Sequence, residues 1–268
     1  KREMTQGITW LTHEPIEFLL RRGDHGEELQ QHYERMLDPG NIRRMAAAGV
    51  TYGRIFFYKG FGLEYERAHM AQAREAAALM HSLGMKVSLY VGGTMFVETF
   101  YRETPQAAGW EQRDQWNEPV TYGQQTYRHY PCPNEPLYRD YLRRVLQIGV
   151  TELRADEIAF DNIMLQAEPH SCHCARCLAA FARFLKKKYP TRDAAMARFG
   201  YPDTDWIEAP RWESASQPAS LDRLDDPVLQ EWVRFRCETL ANYSADLYRS
   251  TKVLNAATAV LLNIKGVY

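Results

Sequence analysis

Apolar residues recur along this chain in two alternating rhythms. Short apolar runs stand at Ile8 to Trp10, Val50 to Tyr58, Lys86 to Val91, Glu157 to Phe160 and Ala257 to Ile264. The second of these, VTYGRIFFY, is rich in β-branched and aromatic residues, and all five predict strands. Longer stretches between them carry apolar positions at helical spacing. Ala68, Ala71, Ala76, Leu79, Met80 and Leu83 form one such face, closed by Gly84 as a left-handed cap. Leu137, Tyr141, Leu142, Val145, Leu146 and Val150 share one side of a helix predicted over Pro136 to Arg154. Further helices are predicted over GEELQQHYERML, over NIRRMAAAG after Asp38-Pro39, over Leu178 to Lys187, over Asp193 to Phe199, and from Asp226-Pro227 to about Asn255. A linker rich in Pro, Asp and Ser covers Tyr201 to Ser220.

Strand and helix in alternation, with mostly buried strands, is the pattern of parallel α/β architecture. The fold class read from it is a (β/α)8 TIM barrel of which only about the first five strands are present. Residues 1–268 then form the N-terminal part of one catalytic domain. A parallel sheet left open after the fifth strand exposes an apolar edge, so a homo-oligomer formed across that edge is an expected alternative to further strands.

The stretch from Gly92 to Pro133 breaks the alternation. It is long, poor in periodicity and aromatic, with Trp110, Trp116, Tyr122, Tyr127 and Tyr130. Loops of this length in a compact domain are usually functional, and aromatic richness argues against disorder. It reads either as a platform on which sugar faces stack or as a loop folded over its own aromatic rings.

Composition narrows the partners. The 268 residues are 45% hydrophobic, enough for a sizeable core. With 33 basic and 34 acidic side chains the net charge is -1, which leaves no basic excess for displacing counterions from nucleic acid. No run of 18 apolar residues is present, so no membrane span is expected. The start, KREMTQGITW, lacks the apolar centre of a signal peptide, and a cytoplasmic setting is the expectation for the stretch in hand.

Five cysteines are an odd count, and three of them, Cys172, Cys174 and Cys177, lie within six positions. That spacing suits a metal better than a disulfide framework. Four thiolates around one ion would fit a closed tetrahedral site of structural zinc with no position left for substrate. Buried or free thiols are the plainer alternative. Cys237 lies in an apolar helical stretch and is expected in the core. His170 and His173 flank the cluster and are expected to be solvated loop residues rather than competing ligands.

The segments RHYPCPNEPLYRDY at Arg128 to Tyr141, CHCARCLAAFARFLKKKY at Cys172 to Tyr189, and the later DWIEAPR and DDPVLQEWVRFR resemble family 42 glycoside hydrolases, the β-galactosidase family. That resemblance implies a (β/α)8 barrel, a carbohydrate substrate, and a zinc held by the cysteine of the CPN motif, here Cys132, with Cys172, Cys174 and Cys177. It also implies an Asp-Asn-Glu at the end of the fourth strand, the glutamate being the acid/base. This chain reads Asp161-Asn162-Ile163, so the position of that glutamate holds an isoleucine.

Barrel enzymes place their chemistry at the C-terminal ends of strands. Asp161, directly after the buried Phe160, is therefore the expected catalytic carboxylate, with Asn162 beside it. Other polar residues at predicted strand ends are His13 and Glu14, Tyr58 and Lys59, Thr94 and Glu98, and Asn263 and Lys265. Of these Glu14, Tyr58, Lys59 and Asn263 are the expected substrate contacts. Lys59 or Lys265 near Asp161 would hold it ionised as a nucleophile. Glu168, before a proline and the cysteine loop, is a weaker candidate that serves equally well to fix that loop. Two functions remain open: a glycoside hydrolase working through paired carboxylates, and a carbohydrate-binding or scaffolding barrel that has lost catalysis.

Overall fold

The computed structural model describes residues 8–12, 14–23, 26–214 and 225–264. In chain order it contains β1 (Ile8–Leu11), α1 (Ile16–Arg21), α2 (Glu27–Met36), α3 (Pro39–Ala47), β2 (Val50–Tyr58), α4 (Arg67–Ser82) and β3 (Lys86–Gly92). There follow β4 (Met95–Phe96), α5 (Val97–Glu103), a 3-10 turn at Pro105–Trp110, β5 (Thr121–Tyr122), β6 (Gln125–His129) and α6 (Pro136–Gln147). The chain continues through β7 (Glu157–Ile163), α7 (Ala175–Lys188), α8 (Arg192–Phe199), α9 (Pro227–Leu254) and β8 (Ala259–Ile264).

Five strands make one parallel sheet in the order β1-β2-β3-β7-β8. Each strand pairs with the next one that enters the sheet, as in a barrel wall that closes by continuing round. The pleat sends alternate residues to opposite faces. Ile55, Phe57, Val87, Leu89, Ile158 and Phe160 go to the helix side, where they meet Met70, Ala73, Ala77 and Met80 of α4 and Leu142, Val145 and Leu146 of α6. Full burial of each large side chain there stabilises the fold by roughly 1.5–3 kcal/mol, so Phe160→Ala is expected to cost about 3–5 kcal/mol. The other face is polar and aromatic. Arg54 donates to Ser88 and Glu157, and above them the rings of Phe56 and Tyr90 lie 4.6 Å apart.

Local signals in the sequence account for the helix ends. Asp38 caps α3 by accepting from the Asn41 amide at 3.0 Å, with Pro39 at the first position. Asp226 caps α9 in the same way, accepting from the Val228 and Leu229 amides. Gly84 follows α4 at φ 77°, as its cap-like position predicts.

Four expectations change. The segment 92–133 is not a long irregular loop: it holds α5, the 3-10 turn and a three-stranded antiparallel sheet ordered β4-β6-β5. Its strands are two to five residues long, too short to show a period of two. The helix predicted to Arg154 is regular only to Gln147, and then widens into a π turn at Ile148–Glu152. Strand β7 does not stop at Phe160 but runs to Ile163, with Asn162 at φ 60° where the register with β8 shifts. The short helix α1 stands where no element was expected. Of the Tyr201–Ser220 linker, residues 215–220 lie outside the described residues, and the rest holds one 3-10 turn at Thr204–Trp206.

Among the described residues no helix is long and apolar enough to cross a membrane.

Candidate functional site

The C-terminal ends of β2, β3, β7 and β8 bring together the larger part of the predicted rim. Asp161 is half-buried, and both its carboxylate oxygens accept hydrogen bonds. Tyr90 Oη donates to Oδ2 at 2.9 Å, and Asn263 Nδ2 donates to Oδ1 at 2.8 Å. Asn162 Nδ2 in turn donates to Tyr90 Oη at 3.3 Å, while its buried Oδ1 has no partner. The β7 backbone here is fixed from β3, since the Gly93 amide donates to Asp161 O at 2.8 Å. A side chain at position 93 would strike that backbone, its Cβ falling 2.8 Å from Asn162 O. Burial, followed by the Asp161 charge, pushes the Tyr90 hydroxyl well above the usual phenol range, so it stays a donor.

Lys59 lies 3% exposed at the end of β2. Its ammonium pairs with Glu14, which also holds Arg22 at 2.9 Å. Lys59 Nζ sits over the rings of Phe18, Tyr90 and Phe56 at 4.5, 4.9 and 5.3 Å. Burial lowers its pKa, against the pull of Glu14. The loop that carries it is clamped by Glu66: Oε2 accepts from the Lys59 amide, and Oε1 from those of Gly60 and Phe61, at 2.8–2.9 Å. Burial pushes the Glu66 carboxyl up to about 8. Gly60, at φ 104°, lets the Thr94 carbonyl approach so closely that any Cβ would fall 1.9 Å from it.

Arg128 of β6 was not singled out from the sequence, although it stands in the RHYPCPN motif. It is 2% exposed, donates to Thr94 Oγ1 at 3.2 Å and Gln125 Oε1 at 3.1 Å, and lies over Tyr122, Phe18 and Phe96 at 4.2, 4.9 and 5.3 Å. Tyr90, which orients Asp161, was likewise missed; its one signal is its place on the same strand face as Ser88.

Other candidates fall elsewhere. Tyr58 is fully buried against Tyr141, in the core and not in the Asp161 cluster. Glu98 is exposed on α5 and paired with Arg21 of α1. Thr94 is buried and serves Arg128. Ile163 is buried, beside Gly93, Gln112, Tyr130 and Met164. His13 and Lys265 lie outside the described residues, so the lysine described near Asp161 is Lys59 alone.

The cysteines form a second, closed site. Sγ of Cys132 is 3.5 Å from that of Cys177 and 3.6 Å from that of Cys174, and Cys172 and Cys177 are 3.6 Å apart. All four sulfurs lie within 4.8 Å of one another. These separations exceed a disulfide bond of about 2.05 Å. They match the spacing of about 3.8 Å that four sulfurs take around a tetrahedral zinc at about 2.3 Å. The donor set therefore fits a metal. Burial raises the Cys172 thiol well above its usual range, whereas hydrogen bonds with Cys132, Cys172 and Cys177 hold Cys174 far below it. Asn134 Nδ2 donates to Cys177 Sγ at 3.4 Å, and Arg176 lies beside Cys174 and Cys132.

Around this cluster three expectations are settled. Glu168 is buried, accepting from Trp232 Nε1 at 2.6 Å and Arg236 Nη1 at 3.0 Å, and so ties the cysteine loop to α9. His173 is not solvated. Its ring lies 4.8 Å from Trp232, and its two nitrogens stand 3.1 Å from the Ser171 and Pro210 carbonyls, away from the sulfurs. Cys237 is exposed rather than core, because its α9 position falls on the face opposite Trp232 and Phe235.

Comparison with known proteins supplies a family and a fold. The profile of glycoside hydrolase family 42, described as beta-galactosidase, matches residues 31–267. The beta-galactosidase BglY of Alicyclobacillus acidocaldarius is 28% identical over 151 residues, 53% of this chain and 20% of that relative. Among solved structures, the beta-galactosidase of Halorubrum lacusprofundi aligns with TM-score 0.66 at 20% identity, covering 98% of this chain and 36% of that one. The cold-adapted enzyme of Rahnella sp. R3 gives 0.66 at 17% identity, with 98% and 36% covered. The chain thus spans a fifth to about a third of the length of these relatives. The structural matches establish the fold: five strands of a TIM barrel.

Proposed function

Because the chain belongs to glycoside hydrolase family 42, the beta-galactosidase family, we propose that residues 1–268 are the N-terminal part of a barrel domain that hydrolyses an O-glycosidic bond. The observation that carries this reading is Asp161, placed at the mouth of β7 with both oxygens accepting hydrogen bonds from Tyr90 and Asn263. A carboxylate held only as an acceptor suits the nucleophile or base of glycoside hydrolysis, not the proton donor. Asn162, Glu14, Lys59 and Asn263 line the same mouth and are the proposed substrate contacts. Glu14 is the next carboxylate on this rim, and it also pairs with Lys59 and Arg22.

The cysteine subsite within 132–177 is proposed to hold one structural zinc, through Cys132, Cys172, Cys174 and Cys177. With all four positions taken by sulfur it contributes fold stability and no open coordination position.

One observation favours a second reading, a carbohydrate-binding barrel without catalysis: Ile163 stands buried and apolar where the family pattern has its acid/base. A panel of aryl glycosides differing in sugar and anomer separates the two. Turnover of any member supports the hydrolase, and saturable sugar binding with no turnover of any member supports the binding barrel.

A further inference from the structure

Beside Ile163, between the end of β7 and α9, lies a cavity of about 10 Å³, the room that one water takes. Asn162 of β7, Gln112 of the segment ahead of β5 and Tyr243 of α9 line it. They are 2–4% exposed, and each carries a buried polar atom with no hydrogen-bond partner among the described residues: Asn162 Oδ1, Gln112 Oε1 and Tyr243 Oη. Residues of this chain already cover these atoms, so a molecule as small as water can reach them where a further stretch of polypeptide cannot. Buried atoms without partners occur elsewhere too, at Tyr138 and Ser171; these three differ in that their side chains share one cavity. The nitrogens fix how the two amides are turned. Gln112 Nε2 donates to the Pro131 and Met164 carbonyls at 3.1 and 3.0 Å, and Asn162 Nδ2 donates to Tyr90 Oη at 3.3 Å, which leaves both amide oxygens as acceptors. Burial raises the Tyr243 hydroxyl above the usual phenol range, so it keeps its proton to donate. Two acceptors and one donor around a space of this size match a water, which gives two hydrogens and takes one. Three neutral oxygens fall short of the roughly six that magnesium or calcium takes.

We infer that Tyr243 and Gln112 hold one ordered water against Asn162 Oδ1, and that through it they set the amide that bonds Tyr90, the donor to Asp161. Tyr243 and Gln112 are then positioning residues, acting on Asp161 through the water, Asn162 and Tyr90 in turn. Asn162 needs such a hold, because its backbone stands at φ 60°, a conformation that residues other than glycine seldom take. The water rests on the cavity and its three polar atoms alone; its bearing on catalysis rests on the reading of Asp161 proposed above.

The test is a crystal structure of the intact chain at a resolution that shows ordered water, with the side-chain amide of Asn162 followed by NMR. One water is expected within about 2.5–3.2 Å of all three atoms, and in solution the Asn162 amide should exchange magnetisation with a bound water. Tyr243→Phe, which removes the donor hydroxyl alone, should shift the Asn162 amide resonances and speed exchange of that water by about fivefold or more. Tyr58→Phe, which removes a buried hydroxyl outside the cavity, should do neither. A direct hydrogen bond from Tyr243 to either amide oxygen, a cavity without a water peak, or a peak with six close oxygen neighbours would overturn the water. No response to Tyr243→Phe, or an equal response to both substitutions, would overturn the positioning role. If Tyr243→Phe does not fold, the wild-type structure and the transfer from water to the Asn162 amide decide. A fully active Asp161→Asn protein would remove the catalytic reading and leave the water in place, so the two fail separately.

Discussion

The cysteine cluster and the strand-end mouth are built on opposite plans. At the cluster, four side chains of one kind converge until each sulfur has sulfur neighbours. Glu168, Trp232 and Arg236 brace the surrounding loop through a hydrogen-bond network. At the mouth, unlike side chains from β2, β3, β6, β7 and β8 meet, and Asp161 accepts from Tyr90 and Asn263. The first arrangement turns four like groups towards one another and holds structure. The second sets unlike polar groups at strand ends inside a rigid frame, the arrangement that a binding or catalytic site requires.

The sharpest way to break this contrast is at the cluster. Cys174→Ser should lower unfolding stability by at least about 3 kcal/mol and reduce bound zinc from one per chain towards none, read by urea unfolding and elemental analysis. Cys237→Ser, at an exposed position, should change neither. A metal-free wild-type protein of unchanged stability would contradict the structural role.

At the mouth, smaller stability effects are expected. Glu66 has a folded pKa of about 8, raised from 4.5 by burial. The native state therefore holds a proton that the unfolded state has lost between these values. Stability from this group is present below about pH 4.5 and declines as pH rises towards 8, by an amount on the order of a few kcal/mol. Glu66→Gln should flatten that slope in unfolding curves measured from pH 5 to 8, and an unchanged slope would show that the group does not titrate there. The smallest effect is assigned to Glu98, whose exposed pairing with Arg21 should contribute less than about 1 kcal/mol. Glu98→Ala should leave turnover near wild type, and a large loss would make Glu98 a catalytic candidate.

The contrast also explains what the sequence discloses. The cluster is legible because three of its four ligands lie within six positions, and local spacing alone indicates shared geometry. The five parallel strands are legible because they are apolar runs bounded by helical stretches. The mouth is only half legible. Asp161, Asn162 and Asn263 stand at strand ends, where pattern places them, but Tyr90 meets Asp161 across 71 residues of chain and Arg128 meets Thr94 across 34. Tyr58 misleads because one residue of register separates the two faces of a strand. The antiparallel sheet within 92–133 stays hidden because its strands, two to five residues long, are too short for an alternation to stand out.

The central claim is that Asp161 is the carboxylate on which glycoside hydrolysis depends. Its most direct test compares Asp161→Asn with wild type on whichever aryl glycoside the wild-type chain cleaves, with zinc content and melting temperature measured on both. The account predicts unchanged zinc, a melting temperature within a few degrees, and turnover reduced by at least about a hundredfold. An Asp161→Asn protein that folds, keeps its zinc and cleaves at near the wild-type rate would contradict it.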